Sequence, residues 1–72
     1  MSEADARDWT ALLSAEGLNG WRALEPTRSN GYWGAHLKQI GDDWGYAAEW
    51  VEELSVAEVR AECLRRARGG AE

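Results

Sequence analysis

The sequence predicts an α+β fold: an N-terminal helix, a three-stranded antiparallel meander and a C-terminal helix. Three observations carry this reading. Apolar residues recur at helical spacing behind a serine cap in both the first and the last third of the chain. Between them lies a stretch dense in chain breakers, Asn19-Gly20, Pro26 and Ser29-Asn30-Gly31. Within that stretch, Asn30-Gly31 is a strong hairpin signal, because both residues tolerate positive φ.

The first helix opens at Ser2, which has capping-box spacing to Asp5. Ala6, Trp9, Leu12 and Leu13 share a face, while Asp5, Arg7, Asp8 and Ser14 look elsewhere. Gly17 suits a left-handed C-terminal cap, with Leu18 beyond it placed to meet Leu13. Residues 21–25 form the first strand. Pro26 has no N–H to give a ladder, so it ends that strand or keeps it at an edge. Residues 32–40 form the second strand, closed by the turn signal Gly41-Asp42-Asp43.

The third strand, residues 44–53, alternates Trp44, Tyr46, Ala48 and Trp50 onto one face and Gly45, Ala47, Glu49, Val51 and Glu53 onto the other. Residues 44–54 also read as a helix capped by Asp43, which gives a mostly-α alternative. Gly45 in the first turn of such a helix, and Glu52-Glu53 at its negative end, weigh against it. In the last element, Ser55-Val56-Ala57-Glu58 is a capping box. Val56, Val59, Cys63 and Ala67, widened by Leu64, form an apolar stripe. Glu62 precedes Arg66 by four residues, Arg65, Arg66 and Arg68 suit the negative end of the dipole, and Gly69-Gly70 stops the helix. Residues 1–2 and 69–72 are expected to fray. The strand–strand–strand–helix order is similar to that of small integrase-arm-type DNA-binding domains. The sheet lacks the basic residues such a function needs, so the likeness extends to element order alone.

The 72 residues allow one small domain, residues 1–72. Below roughly 70–80 residues a single core rarely supplies more than ~3–5 kcal/mol. One cysteine cannot form an internal disulfide, so Trp-dense packing, self-association as a homo-oligomer or a partner must make up the difference. The lone Cys also points to a reducing, cytoplasmic setting. Residues 1–15 have no apolar core segment, so no secretory signal is expected, and no apolar run is long enough to span a bilayer. The first helix is acidic on its polar face, unlike helices that lie in a membrane surface.

Charge is the most informative feature. Six acids and no Lys or Arg fall between Gln39 and Val59 (Asp42, Asp43, Glu49, Glu52, Glu53 and Glu58), and the net charge is −5. Such a segment steers basic partners and repels nucleic acid. Asp42-Asp43 lacks the alternating ligands of an EF-hand loop, and one His with one Cys cannot build a structural zinc site, so neither metal nor cofactor is expected. Cys63 on an apolar stripe reads as an inert thiol, and His36 has no sequence-local partner, so an enzyme is not expected.

The five Trp are too many for so small a core to hide, and Trp33, Trp44 and Trp50, with Tyr32 and Tyr46, are candidates for an exposed aromatic patch. The function expected is a small acidic protein-binding module without catalysis. It would dock Asp42, Asp43, Trp44, Tyr46, Glu49, Trp50, Glu52 and Glu53 onto a basic, nucleic-acid-binding groove of a protein partner. Very small acidic proteins of this kind are a common form of mobile-element or phage-type inhibitor, the anti-CRISPR type among them. An alternative is a nucleic-acid-associated factor using Arg60, Arg65, Arg66 and Arg68, although Glu58 and Glu62 dilute that strip. A structural accessory subunit is the third reading.

Overall fold

The computed structural model describes residues 2–41 and 49–69. Helix α1 spans Glu3–Leu13, and the Ser2 hydroxyl accepts the Asp5 N–H at 3.1 Å, as the capping spacing requires. The helix stops earlier than expected, at Leu13, with Ser14 in extended backbone as its C-cap. Gly17 is left-handed, with φ 71°, but it lies a turn beyond the helix end. A Cβ there would press on the backbone carbonyl of Trp21, so this glycine serves a close approach of loop to strand.

Asn19 and Gly20 both have positive φ, 53° and 83°, and Leu18 and Trp21 exchange backbone hydrogen bonds of 2.7 and 2.8 Å around them. This tight turn feeds strand β1, Trp21–Ala23. Strand β2 is Thr27–Ser29, β3 is Tyr32–Gln39 and β4 is Glu49–Glu53. The sheet therefore has four strands where three were expected, all antiparallel to the central β3. Leu37 pairs with both Ala23 and Glu49, and Gly34 with both Thr27 and Glu52. Hence β1 and β2 share the edge of β3 opposite β4.

Together, β1 and β2 are one interrupted strand. Leu24 still bonds His36 O at 3.0 Å, whereas Thr27 pairs with Gly34, so Glu25 and Pro26 stand opposite Ala35 alone. This is a β-bulge, and its cause is local: Pro26 has no N–H to continue the ladder. The chain then turns at Asn30-Gly31, both at positive φ (54° and 83°), the two-residue hairpin that the sequence announces. Residues 49–53 are strand, which removes the helical reading for that part. Residues 42–48, where the third strand was expected to begin, lie outside the described residues.

Helix α2 spans Val56–Ala67. Ser55 accepts the Glu58 N–H at 3.2 Å, and the Glu58 carboxylate reaches back to the Leu54 N–H at 3.3 Å, one residue before the cap itself. Asn19 donates from Nδ2 to the Ala67 carbonyl at 3.2 Å, tying the α1–β1 loop to the end of α2. Both helices cover one face of the sheet. Trp9 and Leu12 from α1, Ala23, Ala35, Leu37 and Val51 from the strands, and Val59, Cys63, Leu64 and Ala67 from α2 form the core. Burial pushes the Cys63 thiol up to about 11. Among the described residues no helix is long and apolar enough to cross a membrane.

Candidate functional site

Among the described residues, no helix lies over the other face of the sheet. Because side chains alternate along a strand, the even-numbered positions of β3 look outward, and their partners look outward with them. One row across this face is Leu24–His36–Trp50, the next is Thr27–Gly34–Glu52, and Ser29–Tyr32 lies beyond. Arg22 and Lys38 pair at the opposite end.

Trp50 dominates this surface. Its indole lies across Gly34, where an added Cβ would stand only 2.6 Å from Cη2 and 2.7 Å from Cε2. Glycine in a strand interior is destabilising, and here its missing side chain is what seats the ring on the sheet. His36 meets the same indole edge-on, with ring centroids 4.8 Å apart at 60°. Even so, Trp50 remains 44% exposed, with Tyr32 at 45% and Leu24 at 51% on the same face. Between the indole and the bulge runs an open groove of about 440 Å³, with Leu24, Glu25, Thr27 and Ser29 along one side and Gly34 and His36 in its floor. Among the described residues neither Lys nor Arg lines it.

Strand β4 divides the acidic residues singled out in the sequence. Trp50 and Glu52 face outward, whereas Glu49 and Glu53 share the helix-side face with buried Val51. Glu49 is held there by an ion pair with Arg66. Asp42, Asp43, Trp44 and Tyr46 lie outside the described residues. Of the aromatic candidates, Trp33 turns to the helix side and packs against the core, as does Trp21. Among the described candidates, Tyr32 and Trp50 are the exposed pair.

The arginines of α2 are already engaged. Arg65 and Arg66 both hold Glu62, at 2.5 and 2.6 Å, and their hydrogen bonds take its carboxyl down to about 2. Arg68 bridges to Asp5 at 2.6 Å and Asp8 at 2.7 Å on α1, and its guanidinium holds the Asp5 carboxyl below the usual range. Arg60 lies over the Trp9 ring at 5.8 Å, its Nε enclosed without a hydrogen-bond partner among the described residues. These ion pairs tie α2 to α1 through Arg68 and to β4 through Arg66. By contrast, Glu25, Glu52 and Glu53 make no ion pair among the described residues.

Sequence reasoning missed Leu24, Glu25, Gly34 and His36 as members of one surface. Two signals pointed to it: Pro26 breaking the first strand, and a lone glycine in the middle of the longest one. Among the described residues no group of three His, Cys, Asp or Glu side chains is placed to hold a metal ion. Comparison with protein-family models, with curated proteins and with solved structures returned no match. The functional reading rests on the chain's own residues.

Proposed function

We propose that this chain is a small, non-enzymatic protein-binding module that engages a basic partner protein through the open face of its sheet. The observation that carries the reading is the contrast between the two faces. One face is sealed by two helices, with Arg65, Arg66 and Arg68 held by acids, while the other exposes Trp50, Tyr32 and Leu24 beside the carboxylates of Glu25 and Glu52, which make no ion pair among the described residues. Aromatic rings give large contact area at low entropy cost and anchor interfaces when desolvated. Unpaired carboxylates around such an anchor speed encounter with a cationic surface and set orientation. An inhibitor that occupies the cationic groove of a nucleic-acid-handling complex fits this chemistry and the net charge of −5. The reading as a direct nucleic-acid binder through α2 is weaker, since Arg65, Arg66 and Arg68 already hold carboxylates.

The test is capture from cells that carry the gene, comparing the native chain with a Glu25→Lys/Glu52→Lys variant. Glu49 is left intact because a lysine there would face Arg66. The native chain should retain a protein of basic surface, and that retention should fall steeply as salt shortens the Debye length from about 10 Å to about 3 Å. The reversed variant should lose it while keeping a native circular dichroism spectrum. Equal retention by the variant, or a shift of duplex DNA by the isolated chain, overturns the reading.

A further inference from the structure

We infer that the groove between the Trp50 indole and the β1–β2 bulge is a seat for an arginine side chain of the partner protein. This deepens the docking reading and rests on it. The groove offers the two things a guanidinium takes. One is an indole held flat on Gly34 and braced edge-on by His36, with 44% of Trp50 still exposed. The other is Glu25, thrown into the lining by the bulge and without an ion pair among the described residues. A guanidinium stacks on an aromatic face and binds a carboxylate through a planar fork, which an ammonium does not. Complementarity of charge follows from the lining, which holds a carboxylate and no Lys or Arg. Glu52, the register partner of Gly34 on β4, lies on the same outward face. The volume, about 440 Å³, accommodates an arginine with the residues that flank it.

The arrangement also explains a costly choice. A glycine in the interior of β3 weakens the sheet, yet any side chain at that position would lift the indole away from the groove floor. Because the clashing atoms are the far end of the Trp50 side chain, Gly34→Ala should evict the ring and leave the fold standing. That variant separates the seat from the scaffold.

The experiment titrates a capped Gly-Arg-Gly peptide, and its citrulline and lysine counterparts, into the full-length chain labelled with nitrogen-15. The arginine peptide should move the Trp50 indole N–H and the Gly34 amide saturably. Its affinity should exceed that of the uncharged citrulline peptide by about five-fold or more, the scale of a cation–π contact. The lysine peptide should bind more weakly than arginine. Glu25→Gln and Gly34→Ala should each lower arginine affinity by about five-fold with an otherwise native spectrum. Citrulline binding as tightly as arginine, or unchanged affinity in both variants, overturns the proposal. So does a Trp50 resonance unmoved by the arginine peptide while a basic protein is still captured, and in that case the docking reading stands without the arginine seat.

Discussion

Gly17 shows how much of this structure depends on single residues. It has φ 71°, and a Cβ at this position would stand 3.0 Å from the carbonyl carbon of Trp21 and closer still to its oxygen. A left-handed conformation alone costs an ordinary residue about 1–2 kcal/mol, and here backbone rather than a movable side chain blocks relief. Gly17→Ala is therefore expected to lose about 2 kcal/mol or more, roughly 10 °C in melting temperature for a domain of this size, read by thermal circular dichroism. Gly34 is the counter-case. The atoms it makes room for belong to a ring that can swing into solvent, so the same Gly→Ala change should leave melting nearly unchanged there. Two glycines that look alike in the sequence thus serve different ends, one the chain path and the other the surface.

At the scale of elements, the helices and the hairpin were legible because their signals are local. Ser2 and Ser55 cap what they were read to cap, Asn30-Gly31 turns where it was read to turn, and Glu62 meets Arg66 four residues on. What escaped depends on pairing over distance. Pro26 announced a break but not that Thr27–Ser29 would resume on the same edge of β3, one residue out of register. The candidate site was half legible for the same reason. Alternation placed Trp50 correctly against Val51, but the grouping of Glu49 with Glu52 ignored that adjacent faces of one strand see different neighbours. Arg66 is the link, since it joins β4 to α2 through Glu49 while also holding Glu62. Glu62 sits at the centre of that network with its folded carboxyl near 2, against 4.5 for the free group. A depressed carboxyl stabilises the fold above its unfolded value and loses that contribution as pH falls, here between about 4.5 and 2. Glu62→Gln should consequently lower stability at neutral pH by about 1 kcal/mol, as befits a screened helix-surface network. Its stability should also fall less steeply than the native chain's through that acid window, and urea titrations at stepped pH would measure the difference.

For the whole molecule the limiting quantity is core size. Among the described residues no side chain larger than Leu or Val is fully enclosed, and Trp9 is the one indole buried in the cluster. A core of this kind supplies about 3–5 kcal/mol, close to what one deep truncation removes. Leu37 is completely buried in β3, the one described strand that pairs on both edges, between Ala23 of β1 and Glu49 of β4, beneath α2. Its truncation opens a cavity where three elements meet and where no neighbour can slide inward without breaking a ladder. Leu37→Ala should therefore cost about 2–5 kcal/mol and leave much of the chain unfolded at 25 °C. Tyr32, on the outward face of the same strand and 45% exposed, makes the control. Tyr32→Ala removes a larger side chain yet should cost clearly less than Leu37→Ala, because nearly half of the Tyr32 surface stays in water on folding whereas none of Leu37 does. Denaturant unfolding of the two variants, followed by far-ultraviolet circular dichroism, tests whether β3 really has one face that holds the molecule together and one whose aromatic surface is there for something else. Equal losses would mean that the outward face is structural too, and that the rings on it need no partner to account for them.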